Sequence, residues 1–383
     1  MTRRIVMVAA CPYPVPQGSQ VLIRDTAQAL HEAGHALHLV VYGHGVQGPA
    51  DAFAVHRSPK LPGYRSTSSG PSLLKPVADA FLVATLWRVL RRERPEVIHA
   101  HNYEGLMTAL ASRARPVVYH AHNAMADELP WYFSGQSWAR RLGGWLDRTL
   151  PRRADHVLAP HRALADYLIS NGCGPEQVTV LPPAATLGDF AEPTYTDMPA
   201  EVLYTGNLDA YQNLELLHEA MRAVRDGEPS AGLLVATAAT NPAAHVHAAE
   251  ILPTPDMAAP RDALARDVIM VCPRVAWSGY PIKILNAMAA GRPVIACRSA
   301  AGPITDGIDG VIVPDNEPRA LADAILRLRR DRSLREYLGT AARETIRTQH
   351  NPALLVRRLE AVYDAVCAAA GQGRPAWRDQ RGS

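Results

Sequence analysis

The chain has 383 residues, a formal net charge of +3 at pH 7, 48% hydrophobic residues and 20% charged residues. That length exceeds what one hydrophobic core supports and predicts two or three domains, while the composition excludes a disordered chain and the slight charge gives no reason to expect a nucleic-acid partner. No apolar run is long enough to span a membrane, the cysteines (Cys11, Cys173, Cys272, Cys297, Cys367) show neither metal-ligand nor disulfide spacing, and Met1-Thr2-Arg3-Arg4 does not open a leader pattern, so a cytoplasmic protein is expected.

Ile5 to Ala10 is a continuous apolar run of strand length, the pattern of a strand buried on both faces of a parallel sheet. A loop with Pro12, Pro14, Pro16 and Gly18 follows, then helical periodicity over 20–33 and a second strand over 35–42, together a βαβ unit. Gly18 and Ser19 stand at the helix entrance, where main-chain N–H groups can approach a phosphate; a plain turn with Ser19 as N-cap is the alternative. Residues 43–75 are rich in Gly, Pro and Ser and predict an irregular connection. A helix is expected over 79–92, a strand over 95–100, a helix over 106–113 and a strand over 117–121.

The last two strands finish in His99-Ala100-His101-Asn102-Tyr103-Glu104-Gly105 and His120-Ala121-His122-Asn123. Ligands of open α/β sheets bind beyond the carboxyl ends of the strands, which makes these imidazoles and amides candidate substrate contacts. Alternate strand residues share a face, so each His pair also has the spacing of metal ligands. No carboxylate or cysteine completes a recognisable set, and no metal is expected. One histidine of each pair is read as structural and the other as a partner for a sugar hydroxyl or phosphate.

Residues 131–153 combine Trp138, Leu142, Trp145, Leu146 and Leu150 with Arg140, Arg141, Arg148, Arg152 and Arg153. Such a stretch can lie on an anionic membrane surface; the reading adopted is a helix that packs its apolar stripe on the sheet and keeps its charges in water. A strand over 155–159, a helix over 162–171 and a strand over 178–181 precede the Pro-punctuated linker 182–199. Beyond it the alternation resumes: strands over 201–205, 232–238, 268–272, 294–298 and 310–313, and helices over 214–225, 245–251, 257–265, 318–329, 334–349 and 354–369. The segment Pro273 to Ala296 reads as a Gly/Pro turn opening a short amphipathic helix, stopped by Gly291 and Pro293 before a strand. The N-terminus of such a helix suits an anion, and Arg274 and Lys283 bracket the turn; solvated cations on an ordinary connection are the alternative.

Ser278-Gly279-Tyr280-Pro281-Ile282-Lys283-Ile284-Leu285-Asn286-Ala287-Met288-Ala289-Ala290-Gly291-Arg292-Pro293-Val294 resembles the Glu-Gly-Phe-Gly-x-Pro-x-x-x-Glu-Ala-Met-Ala-x-Gly-x-Pro-Val signature of retaining glycosyltransferases of family 4. Asp309 to Pro314 and the Gly34-His35 strand entry match as well, so the resemblance covers essentially the whole chain. It implies the GT-B fold: two doubly wound Rossmann-like α/β domains facing across a cleft. An acceptor-binding domain is expected over 1–190, a nucleotide-sugar-binding domain over 191–352, and a C-terminal helix with a frayed tail over 353–383.

Two departures stand out. Ser278 and Asn286 replace the signature glutamates, and the positions of the family's diphosphate-binding Arg and Lys fall on Asn207 and Gln212, both neutral. The missing charge is expected from Arg274 and Lys283. The resemblance further implies that His122 contacts the donor sugar and that Gly18 lies against the diphosphate, so Arg274, Lys283 and His122 are the expected catalytic residues. Gly18, Ser19, Gly206, Asn207, Ser278, Gly279, Tyr280 and Asn286 are expected at the donor, and His101, Asn102, Glu104, Asn123, Asp127 and Glu128 at the acceptor.

The implied reaction moves a hexose, N-acetylglucosamine, from a UDP-sugar co-substrate to a hydroxyl of a small acceptor, with no cofactor, no metal, no nucleic-acid partner and no expected membrane association. The departures are similar to those of glycosyltransferases that act on 2-deoxystreptamine in aminoglycoside antibiotic biosynthesis. A lipid or cell-wall glycan acceptor is the rival. A UDP-sugar 2-epimerase and a non-catalytic sugar-nucleotide-binding protein are the alternatives of another class.

Overall fold

The computed structural model describes residues 2–15, 18–45, 51–62, 74–133, 136–239, 241–242, 246, 248–254 and 259–371. The chain divides into two compact units, one of Met1–Val15, Ser19–Pro183 and Pro352–Ser383, the other of Pro16–Gly18 and Ala184–Asn351. The boundary lies at Pro183/Ala184 rather than at 190, and the last helix, Pro352–Gly371, belongs to the first unit rather than standing apart. Packing explains this return: Tyr363 on that helix is fully buried and bonds His99 at 2.7 Å, and Arg3 pairs with Asp364. The expected frayed tail, 372–383, lies outside the described residues.

The first unit is a parallel sheet of β1 (Arg4–Ala9), β2 (Ala36–Val41), β3 (Ala54–Arg57), β4 (Val97–His101), β5 (Val117–His120), β6 (His156–Ala159) and β7 (Val178–Val180), in the order β3-β2-β1-β4-β5-β6-β7. The order reverses between β1 and β4, the switch point at which such sheets bind ligands. Residues 5–9 have no exposed surface, as an all-apolar central strand requires. β3 was not expected: Ala-Val-His-Arg is short and mixed, and pairing with β2 rather than its own pattern makes it a strand.

The second unit holds β8 (Glu201–Thr205), β9 (Leu233–Thr237), β10 (Glu250–Pro253), β11 (Val268–Cys272), β12 (Val294–Cys297) and β13 (Val311–Val313), all parallel, in the order β10-β9-β8-β11-β12-β13. Its core packs Val202, Tyr204, Val235, Ile269 and Val271 against Leu217, Met221 and Val224 of helix Leu214–Gly227. The helix expected over 245–251 is corrected in its described part, because residues 250–253 form the edge strand β10 beside β9. Periodicity in so short a run does not separate the two states.

Two further elements differ from expectation. The helix after β4 begins at Asn102 rather than near 106, with Asn102 itself at φ +61°, a left-handed conformation that Asn tolerates better than most residues. In helix Gln136–Thr149 it is Ala139 and Asp147 that are buried, whereas Trp138, Leu142 and Trp145 are 46%, 42% and 54% exposed. Trp138, Leu142 and Trp145 therefore face outward, not onto the sheet, while Leu146 and Leu150 are half-buried.

Candidate functional site

In the second unit the site residues gather at the carboxyl ends of β8 and β11. β11 delivers Pro273 and Arg274, and the turn through Gly279 leads into helix Ile282–Ala289, an element of eight residues with apolar Ile284, Leu285 and Met288 packed inward. Lys283 is the one cation on that helix, and it is half-buried. Its ammonium donates to Gln212 Oε1 at 2.9 Å and lies 4.0 Å from the centroid of the Tyr204 ring. Gln212 donates to Asn207 Oδ1 at 2.6 Å, and Asn207 donates to the Tyr211 hydroxyl at 2.8 Å and to Asp209 at 2.6 Å. The two neutral residues that stand where the family carries its cations thus form the polar chain that holds Lys283.

Arg274 lies close enough for its charge to act on the Lys283 ammonium. Its guanidinium sits 5.1 Å from the Tyr211 ring centroid, and Nε donates to the Ala276 carbonyl at 3.1 Å. A Cβ at Gly279 would strike its Nη2, so a side chain at that position displaces the guanidinium. Gly206, at φ +128°, leaves similar room: a Cβ there would approach Lys283 Nζ to 3.0 Å. Burial lowers the Lys283 ammonium to about 8, and the positive charge of Arg274 pushes the same way. A half-buried lysine next to an arginine is a site short of negative charge.

The remaining donor candidates differ in exposure. Ser278 is buried, Asn286 and Tyr280 are half-buried, and burial raises the Tyr280 phenol. Gly18 is the first residue of helix Gly18–Glu32 and Ser19 the second, which places Ser19 inside the first turn rather than before it. Tyr204 and Tyr211 were not anticipated as site residues; the signal for Tyr204 is a phenol that follows Val202 and Leu203 near the carboxyl end of its strand.

In the first unit the four histidines form one buried cluster. His101 and His120 are direct partners in the register of β4 and β5. His99 Nδ1 meets the Tyr363 hydroxyl at 2.7 Å, His99 Nε2 meets His120 Nδ1 at 3.2 Å, and His101 Nδ1 meets His122 Nε2 at 3.1 Å. His99, His101 and His120 have no exposed surface, and His122 retains 7%. Of the four histidines, His122 is therefore the least buried, and His101 is its hydrogen-bond partner. Among the described residues His101 Nε2, His120 Nε2 and His122 Nδ1 have no protein partner. Nitrogens of His99, His101 and His120 lie within 4.8 Å of one another, but the His99 and His101 rings stack at 4.5 Å and 11°.

The other acceptor candidates follow the two strands: Asn102 and Glu104 open helix Asn102–Ala111, and Asn123 precedes helix Met125–Glu128. Lys75 pairs with Glu104, and Asn123 donates to Glu128, which also accepts from the Tyr132 hydroxyl at 3.3 Å. Asp127 and Glu128 belong to the short helix Met125–Glu128. Asp147 fixes that helix: its carboxylate accepts from Met125 N at 2.9 Å, Ala126 N at 3.0 Å and the Tyr167 hydroxyl at 2.8 Å. Nothing in the sequence singled out Asp147, because its partners lie 20 or more positions away.

Burial lowers His120 to about 4 and holds His99, His101 and His122 well below the ordinary imidazole value, with neighbouring imidazoles adding to the effect for those three. Below the unfolded value of 6.5 the unfolded chain takes up protons that the folded chain refuses. The histidines' contribution to stability is thus complete above about pH 6.5 and falls as pH drops towards 4, by about 1.4 kcal/mol per pH unit for each histidine involved. Urea midpoints measured from pH 7.5 to 4.5 should show this decline. They should decline less steeply in His120→Asn.

Residues 17–184 match the glycosyl transferase 4-like domain and residues 199–331 the glycosyl transferases group 1 domain. An exopolysaccharide phosphotransferase of Streptomyces coelicolor is 37% identical over 83 residues, 21% of this chain and 9% of that protein, so the match spans about a tenth of that relative's length. A D-inositol 3-phosphate glycosyltransferase of Kribbella flavida is 26% identical over 89% of this chain and 91% of that one. Among solved structures, a sucrose-phosphate synthase from Thermosynechococcus elongatus superposes with a TM-score of 0.80 at 17% identity, covering 96% of this chain and all (100%) of the other. The Anabaena protein HepE in complex with UDP and glucose gives 0.71 at 16% identity, covering 95% of this chain and 100% of the other. At these identities the structural likeness speaks for the fold. The two domain matches place this chain among the glycosyltransferases of group 1, with a 4-like N-terminal domain, and its fold is the GT-B pair of Rossmann-like sheets.

Proposed function

We propose that the chain transfers a hexosyl group, N-acetylglucosamine or glucose, from a UDP-sugar to a hydroxyl of a small cyclitol, with retention at the anomeric carbon. The observation that carries the reading is the juxtaposition of Lys283 and Arg274 at the ends of β8 and β11, on a platform of Gln212, Asn207, Tyr204 and Tyr211. A departing nucleoside diphosphate gains negative charge as the glycosidic bond breaks. Two preorganised cations meet that charge without reorganisation, and main-chain N–H groups at the start of helix Ile282–Ala289 add to them. The charge is supplied by side chains, so the arrangement calls for no metal and no carboxylate nucleophile. Ser278 and Asn286, in the places of the signature glutamates, bind by neutral hydrogen bonds; an amide still recognises a ribose hydroxyl. That UDP and glucose are bound in HepE supports the choice of donor.

His122 receives a donor-sugar hydroxyl at its free Nδ1, and His101 orients it through the bond to Nε2. On the acceptor side, Glu104 and Glu128 are already engaged by Lys75 and Asn123. An aminocyclitol such as 2-deoxystreptamine binds by exchanging its ammonium for that of Lys75. A second reading, a phosphorylated inositol acceptor, is favoured by the named activity of the Kribbella relative and by the cation Lys75 beside Glu104. UDP release from UDP-N-acetylglucosamine and UDP-glucose, measured with 2-deoxystreptamine, inositol phosphates and no acceptor, tests the whole. Acceptor-dependent release is expected. Acceptor-independent conversion of the donor would instead assign a 2-epimerase, and no release or binding of UDP would remove the transferase reading.

A further inference from the structure

Helix Gln136–Thr149 carries a face that the transfer reaction does not use. Trp138, Leu142 and Trp145 lie at i, i+4 and i+7, one stripe along the helix, and are 46%, 42% and 54% exposed. The opposite side is the one that packs, through Ala139 and Asp147. Arg141 and Arg148 are exposed beside the stripe, and Arg152 is exposed in the turn that follows. The single acid within 136–153 is Asp147, whose carboxylate is buried and occupied by Met125, Ala126 and Tyr167. Outward, the segment is therefore apolar and cationic with no anion of its own.

We infer that this face docks the first unit onto an anionic phospholipid surface, the helix lying in the interfacial plane. Trp is the side chain best suited to the headgroup boundary, since its ring is apolar and its N–H is wet, and three such apolar residues in one stripe supply the burial. The arginines then face the phosphates and add an electrostatic attraction to the apolar burial. A second copy of this chain would bring the same arginines against one another. That like-charge meeting makes a bilayer the better occupant. No helix among the described residues is long and apolar enough to cross a membrane, so the attachment is peripheral. The inference is independent of which donor and acceptor the enzyme uses.

The test is co-sedimentation of the full chain with vesicles of phosphatidylcholine alone and of phosphatidylcholine mixed with phosphatidylglycerol. Binding is expected only to the anionic vesicles, weakening with salt. Trp145→Ser with Leu142→Ser, and separately Arg141→Glu with Arg148→Glu, should each lower the bound fraction by about tenfold or more, with thermal melts and UDP release towards a soluble acceptor unchanged. Absence of wild-type binding would overturn the proposal, and so would variants that bind as well as wild type. A concentration-dependent dimer dissolved by the Trp145 variant, without vesicle binding, would assign the face to a second copy instead.

Discussion

Lys283→Ala is expected to lower turnover by about 10²- to 10³-fold, the cost typical of removing one preorganised group from a developing anion, while the thermal melt stays close to that of the wild type. The fold is spared because Lys283 is held by one hydrogen bond to Gln212 and by the Tyr204 ring, not by a packed core. Lys283→Arg should recover part of the loss, since it keeps the charge but not the compact ammonium that fits beside Gly206. Acidity gives a second readout. With its ammonium lowered to about 8, Lys283 is charged below that pH and neutral above it, so turnover should fall as pH rises through about 8. The same shift acts on stability with the opposite sign: between about 8 and 10.5 the unfolded chain holds a proton that the folded chain has lost, so folding gains as pH rises through that window. A rate profile flat from pH 7 to 9.5 in the wild type would argue that another group carries the charge.

Arg292 lies in the same signature segment, yet its loss should cost stability and not chemistry. It is 1% exposed, and its guanidinium donates to the carbonyls of Leu264 at 2.9 Å, Thr194 at 2.8 Å and Ala265 at 2.9 Å. Those carbonyls close helix Ala259–Ala265 and tie the segment before β8 to the turn after helix Ile282–Ala289. Arg292→Ala leaves all three without their donor, at a cost on the order of 3–5 kcal/mol. Arg292→Lys should be nearly as damaging, because an ammonium cannot span three acceptors that a planar fork reaches. Urea unfolding measures the cost, and turnover per folded molecule should be unchanged. A variant that melts normally but turns over slowly would move Arg292 into the active site.

The contrast between these neighbours shows what was legible in the sequence. Lys283 stands in the first turn of one short helix and Arg292 just past its end, and spacing alone does not say that Arg292 turns inward while Lys283 turns to Gln212. Strands such as Glu201–Thr205 and Val268–Cys272 were readable because buried parallel strands are continuous apolar runs. The edge strands Ala54–Arg57 and Glu250–Pro253 were not, since a four-residue mixed segment takes its conformation from the neighbour it pairs with. The stripe at Trp138, Leu142 and Trp145 misled for a related reason: periodicity identifies one face of a helix but not which way it points. For the site, the chemistry-bearing residues could be named from their place at strand ends, whereas their partnerships could not. Lys283 meets Gln212 across 71 positions, and His99 meets Tyr363 across 264. Such contacts are set by the doubly wound topology, which brings the ends of distant strands side by side.

The claim on which the functional account rests is that Arg274 and Lys283 hold the diphosphate of the donor. Equilibrium titration of UDP and of uridine into wild type, Arg274→Gln and Lys283→Ala tests it without any acceptor or turnover. The account predicts that each substitution weakens UDP by about tenfold or more and leaves uridine binding unchanged, because only the phosphates meet these cations. Equal weakening of both ligands, or UDP binding untouched in both variants, would contradict it.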